Sequence, residues 1–241
     1  MQPLIIAFQL LTRIPITVVV EPTPQNRGYS ILFYPLVGAT IGGLLLLLAS
    51  LLPTSPLPLQ ASLILVLWVF LTGGLHLDGL ADSADAWVGG MGNRERMLEI
   101  MKDPTSGPMG VISIVLLLLV KWSAIMALLE GGEWMMLIWP PILARTALIT
   151  LFQTTKYIRP GGMGDGISSN IPRLLGVLVQ IAVLGTALFY GVSWITLLIV
   201  ATALLLFRWM IVKQLGGVTG DIAGAMVEKM EALLLLLLIV E

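Results

Sequence analysis

Cysteine is absent from this 241-residue chain, histidine occurs once, and charged residues make up only 11% of it. Without cysteine there are no disulfides, no thiolate metal sites and no sulfur nucleophile. A soluble domain carries about 25% charged residues, so the scarcity of charge excludes a soluble globule. The net charge of −1 leaves no basic face for a nucleic-acid partner, and none is expected. No basic stretch with a cleavage site opens the chain, so the first residues are expected in the mature protein. What is abundant is apolar: 57% hydrophobic residues and a mean hydropathy of +0.98.

Six apolar segments fall at 31–52, 57–75, 109–129, 134–152, 174–192 and 194–213. Each approaches the roughly 20 residues needed to cross a hydrocarbon core about 30 Å thick. A seventh, 229–240, rises only about 18 Å as a helix and spans only with tight support. The stretch Pro3 to Val20 is broken by Arg13 and Pro15 and reads as an interfacial helix. The expected fold is all-α: a polytopic integral membrane helical bundle of six to seven transmembrane helices, forming one domain over 1–241.

Threading these segments alternately across a bilayer places loops 76–108, 153–173 and 214–228 on one side with the N-terminal arm. Arg27, Arg94, Arg96, Lys102, Lys156, Arg159 and Arg173 all fall on that side, and no Lys or Arg falls in the short turns opposite. The positive-inside rule makes the loop-rich side cytoplasmic. Three cations remain inside apolar segments: Lys121, Arg145 and Arg208. Arg208, near a segment end, snorkels. Lys121 and Arg145 sit deeper and require an anion or a wet cavity. Both are therefore candidate substrate-binding groups.

The densest acidic chemistry lies at Asp78, Asp82 and Asp85, at i, i+4 and i+7 of a helix, which places three carboxylates on one stripe. Like charges so placed repel, and a divalent cation bound by hard oxygen ligands relieves them; Mg²⁺ suits this donor set. The bland alternative is a solvated acidic face. Gly79, Ala81, Ser83 and Ala84 leave room for a phosphorylated ligand or a second helix. Downstream, Lys102 and the turn-rich stretch to Gly107 and Gly110 offer a cation and backbone N–H groups for phosphate. A loop from Lys156 through Arg159 to Gly166, including Met163, pairs cations with a glycine-rich bend, equally readable as a pyrophosphate grip or an ordinary basic loop. Asp221, amid glycines, is a further metal or hydroxyl ligand or a helix N-cap. His76 is a substrate-binding candidate, though a lone histidine at an interface is more often structural.

Taken together, these blocks resemble a known family. Gly74 to Asp85 is similar to the signature of the cobalamin synthases, the adenosylcobinamide-GDP ribazoletransferases. So are Leu11 to Pro15, Phe33 to Gly38, Lys102 to Val111 and Gly217 to Asp221, in order along nearly the whole chain. The resemblance implies an Mg²⁺-dependent inner-membrane enzyme. Its members transfer the adenosylcobinamide phosphate group from adenosylcobinamide-GDP to α-ribazole or α-ribazole 5′-phosphate, releasing GMP. Metal would be held by Asp78, Asp82 and Asp85; Asp82, Asp221 and Lys102 would be catalytic; His76, Arg145, Arg159, Lys121 and Gly107 would bind substrate. A homo-oligomer is compatible with the sequence.

Asp78 to Asp82 also resembles the opening of the CDP-alcohol phosphotransferase motif, but no arginine follows Ala81 and the second acidic half is missing. A prenyl or CDP-alcohol transferase is the alternative enzyme. A small transporter is the alternative of another class, disfavoured because nearly all acids lie in loops.

Overall fold

A computed structural model describes residues 1–20, 23–162 and 164–240; Met163, in the second glycine-rich loop, lies outside the described residues. Among the described residues the chain is helical, with a lone β-bridge between Tyr157 and Val218 and no strand. The helices are α1 (Gln2–Leu11), α2 (Pro24–Ser30), α3 (Tyr34–Leu51), α4 (Leu57–Thr72), α5 (Leu75–Gly89), α6 (Arg94–Ile100), α7 (Pro108–Glu130), α8 (Trp139–Thr154), α9 (Ile167–Asn170), α10 (Arg173–Phe189), α11 (Trp194–Leu215) and α12 (Gly220–Leu238).

Local chemistry explains the boundaries. Prolines open α2, α3, α7 and α8, where the missing N–H costs nothing. Thr23, Ser193 and Thr219 cap α2, α11 and α12 by accepting from the N–H groups of Asn26, Thr196 and Ile222. The six apolar segments correspond to α3, α4, α7, α8, α10 and α11. Among the described residues four continuous helical stretches are long and apolar enough to cross a membrane: Pro24–Leu51, Pro108–Glu130, Trp134–Thr154 and Trp194–Leu215. A fifth arises if α4 is joined to α5, and α10 is a shorter apolar helix. The outer faces of α7, α10 and α11 present Val111, Leu116, Leu178, Ile181, Leu198 and Leu206 to the surroundings, as lipid-facing helices do. The chain is an integral membrane protein.

Three expectations change. The short span 229–240 is the second half of α12, which already begins at Gly220. α12 is largely enclosed by other helices, unlike a peripheral end helix. It packs against α5, α7, α8 and α11, and Met226, Leu234 and Leu235 on it are wholly buried. The loop that was expected to contain the aspartates holds a 15-residue helix, α5, turned 85° from α4. Gly73 and Gly74 make this turn with φ of 63° and 68°, consecutive left-handed residues that a side chain disfavours. The N-terminal interfacial helix is shorter than Pro3 to Val20: α1 ends at Leu11, and the Gln9 amide donates to the carbonyls of Ile16 and Val18 in the extended segment that follows.

Among the described residues four charges of Lys, Arg and Glu lie inside the bundle. Lys121 on α7 donates to Glu228 and Glu231 on α12, both at 2.5 Å. Arg145 on α8 donates to the other oxygen of Glu231 at 2.6 Å. Two cations meet two carboxylates, so the cluster is neutral, and Glu231 joins two helices through its two oxygens. The Lys121 ammonium also lies 4.7 Å from the Trp68 ring centroid, a cation–π contact from α4. Lys121 and Arg145 were expected to meet a ligand anion; the protein supplies the anions itself. Arg208 behaves as expected of a snorkelling cation, reaching Thr154 at the end of α8.

Removing one member of such a cluster leaves an uncompensated buried charge, which costs about 3–5 kcal/mol. Glu231→Gln is expected to lose that much stability, measured by thermal or denaturant unfolding in detergent, whereas Glu99→Gln, at an exposed pair with Arg96, changes it by less than about 1 kcal/mol.

Candidate active site

Helix ends gather on one side of the bundle. There the backbone of Ile158 and Lys156 pairs with Val218, Arg94 donates to the Leu215 carbonyl at 2.8 Å, and Arg27 donates to the Asp165 carbonyl at 3.3 Å. The loops after α5, α8 and α11 are thus stitched around the start of α12. α5 lies across this end rather than through the bundle, and it packs on α12 through small residues. A methyl group at Gly79 would come within 2.6 Å of the Asp221 carbonyl oxygen. Only glycine permits so close an approach, and the result is that the α5 aspartates face the first turn of α12.

Asp221 receives a hydrogen bond from Arg159 at 2.7 Å, which draws the 153–173 loop onto the acidic cluster. Asp82 stands between Asp78, Asp221 and Asp85. Burial first, and then the negative charge of Asp78 and Asp221, push its carboxyl up to about 6, against the opposing pull of Arg159. Asp78 is exposed. Beneath Asp78 and Asp221 lies a cavity of about 120 Å³ whose walls include Tyr34, His76, Leu148 and Phe152. His76 is buried, and its Nδ1 has no hydrogen-bond partner among the described residues. Burial, then the charge of Arg145, lower its pKa to about 3, so it is a neutral ring at physiological pH.

Asp85 has a different task from the one expected. Its two oxygens accept from the backbone N–H groups of Gly107 at 2.7 Å and Gly110 at 2.9 Å. It caps the start of α7 from a neighbouring helix, satisfying donors that α7 leaves open. The N–H of Gly107, expected to hold phosphate, is therefore already engaged, and both Asp85 oxygens accept from backbone donors. Lys102 is exposed on the loop before α7 and makes no ion pair among the described residues. Glu231 was missed altogether. Its signal was available: an acid three residues after Glu228 inside an apolar run, with two unmatched cations elsewhere in the membrane segments.

The amino-acid sequence that builds this arrangement matches a known family. The profile of the Cobalamin-5-phosphate synthase family covers residues 3–239. The chain belongs to that family. It is 47% identical over 236 residues to the adenosylcobinamide-GDP ribazoletransferase of Stutzerimonas stutzeri, covering 98% of this chain and 96% of that protein. It is 48% identical to the protein of the same name from Pseudomonas syringae, covering 99% of each. The Pseudomonas paraeruginosa protein of that name is 49% identical over 242 residues, covering 99% of this chain and 98% of the other. No solved structure matches the chain.

Among the described residues no three His, Asp or Glu side chains form a ready-made metal cage. The donor chemistry nevertheless fits Mg²⁺. The negative fields of Asp78 and Asp221 overlap at Asp82, and a cation placed there meets the same fields with the opposite sign. Mg²⁺ keeps several waters and is commonly bound by one or two carboxylates together with substrate phosphates, so a closed protein cage is not required. The carboxylates whose charges meet here are Asp78, Asp82 and Asp221, while the Asp85 oxygens are turned to the start of α7.

Two stability outcomes separate these carboxylates. Because the folded-state pKa of Asp82 is raised, its contribution to stability is present below about pH 4 and is lost as pH rises through about 6. Asp82→Asn in metal-free detergent is thus expected to raise the melting temperature at pH 7.5 and to match the parent protein near pH 4. Asp85→Ala is expected to lower stability by about 1–2 kcal/mol at pH 7.5, the cost of a lost helix cap.

Proposed function

We infer that the protein joins the two halves of a cobalamin: it transfers the adenosylcobinamide phosphate group from adenosylcobinamide-GDP to a ribose hydroxyl of α-ribazole or α-ribazole 5′-phosphate. GMP is released, and adenosylcobalamin or its 5′-phosphate is formed. Identity of 47–49% over nearly the full length to proteins named for this transfer supports the reading. The observation that carries it is the meeting of Asp78, Asp82 and Asp221 from two helices beside the basic loops.

The hydroxyl oxygen of the acceptor attacks the phosphorus attached to cobinamide, and the bond from that phosphorus to the GMP oxygen breaks. Phosphoryl transfer needs positioning and charge neutralisation more than covalent participation by the protein. Asp78, Asp82 and Asp221 would hold Mg²⁺, which would supply neutralisation of the diphosphate charge. Arg159 and Lys102 offset charge on the departing GMP. Asp82, through an oxygen left free of metal, takes the hydroxyl proton. His76 lines the cavity under the carboxylates and contacts the acceptor as a neutral hydrogen-bonding ring. Lys121 and Arg145 act at one remove: through Glu228 and Glu231 they fix α12 and so place Asp221. By the positive-inside rule the basic, site-bearing end faces the cytoplasm, and the enzyme resides in the inner membrane.

Purified protein incubated with adenosylcobinamide-GDP, α-ribazole 5′-phosphate and Mg²⁺ is expected to release GMP in proportion to corrinoid product. EDTA abolishes this release and excess Mg²⁺ restores it. Asp82→Asn should reduce turnover by at least about a hundredfold, the lower range for loss of a general base, without loss of protein from the membrane. Turnover that resists chelation removes the metal from the reading, and release of a nucleotide other than GMP removes the substrate.

A further inference from the structure

A crevice of about 270 Å³ opens between α5, α7, α11 and α12, on the side of α5 opposite its aspartates. Asp78, Asp82 and Asp85 follow one helical stripe, while Ser83, Ala84, Trp87 and Val88 occupy the far face and form one wall of the crevice. Met109, Phe207 and Ile211 supply further apolar lining. Met109 lies in the first turn of α7 and Ile211 in the last turns of α11, so the crevice sits at the level where the bundle meets its basic end.

Into this apolar space projects Lys229 of α12. The side chain is open to the surface. Among the described residues it makes no ion pair, in contrast to Lys121 and Arg145, which are both matched by glutamates. Its ammonium stands 5.3 Å from the centroid of Phe207, a cation–π contact that softens the charge without replacing a counter-ion. Side chains on a helix lean toward its N-terminus, and the N-terminus of α12 lies at the basic end. The lysine is thereby directed toward the basic end of the bundle. Lys213, exposed near the end of α11 and stacked 5.0 Å over Trp209, adds a second cation to the same helix end.

We propose that this crevice is a binding site for an anionic phospholipid of the leaflet on the basic side, with its phosphate on Lys229 and an acyl chain along the α7 and α11 wall. Charge complementarity selects the occupant. An apolar cleft in a membrane protein fills with lipid chains whatever their headgroups, but an unmatched lysine at its edge favours a headgroup of net negative charge. Basic pockets between membrane helices bind acidic lipids on this ground. Because α5 and α12 also carry the candidate catalytic carboxylates on their other faces, the lipid braces the site from behind.

The experiment is native mass spectrometry of the full chain in detergent, titrated with phosphatidylglycerol or phosphatidylcholine of identical acyl chains. A lysine near the surface contributes about 1 kcal/mol toward anionic lipid, which is about fivefold in affinity. The parent protein is expected to bind the first phosphatidylglycerol at least about fivefold more tightly than phosphatidylcholine. Lys229→Gln should reduce that preference to less than twofold, and Lys229→Arg should keep it. Equal binding of the two lipids by the parent protein overturns the proposal, as does a preference unchanged in Lys229→Gln. Displacement of phosphatidylglycerol by GMP would assign the crevice to substrate and also overturn it. Should Lys229→Gln fold poorly, brominated phosphatidylglycerol provides the second measurement. Its quenching of tryptophan emission must diminish in Trp87→Phe, and undiminished quenching counts against the site. None of these readouts depends on turnover, so they stand apart from the test of the transferase reading.

Discussion

Everything in the bundle is arranged around the need to neutralise charge in a place without water. Glu231 presents one oxygen to Lys121 and the other to Arg145, and Glu228 completes the set. An isolated ion at that depth is costly. Once the four are assembled, α12 has a single depth and rotation relative to α7 and α8, because sliding it by one turn would separate every pair. α12 then serves as the template for the functional end: Asp221 lies at its first turn, and α5 is laid across it through Gly79.

The two acidic clusters follow opposite rules. The inner one is balanced, two cations to two anions, and is sealed by apolar side chains. The outer one is unbalanced. Among the described residues Asp78, Asp82 and Asp221 meet one cation, Arg159, and burial, reinforced by the neighbouring carboxylates, raises the pKa of Asp82. An unbalanced cluster weakens the fold, and such local conflict is characteristic of functional sites. A balanced cluster of the same residue types holds helices together. The distinction rests on counting charges within reach of one another, not on the presence of aspartate or glutamate as such.

Asp85 and the crevice behind α5 show how closely support and function are interleaved. A carboxylate on the same stripe as two candidate metal ligands is spent on the N-terminus of α7, and the reverse face of the helix is open to an apolar cleft. α5 is therefore anchored at its end by a cap, in its middle by glycine contact with α12, and along its outer face by whatever fills that cleft.

Much of this was legible in the sequence. Hydropathy alone located six apolar helical segments, since long apolar runs have no stable place in water, although among the described residues four helices, or five with α4 joined to α5, are long and apolar enough to cross a membrane. The i, i+4, i+7 spacing placed three aspartates on one stripe, and the ordered motifs pointed to the family. The tertiary structure decided what periodicity cannot encode: which charges meet. Lys121 and Glu228 are 107 positions apart, and Arg145 and Glu231 are 86 apart. Nothing local distinguishes a cation awaiting a substrate from one already paired. The same limit hid the role of Asp85, whose spacing fits a metal stripe while its oxygens serve a helix 22 residues away. Spacing along a chain fixes the face on which a side chain stands; only the packing of helices fixes what stands opposite.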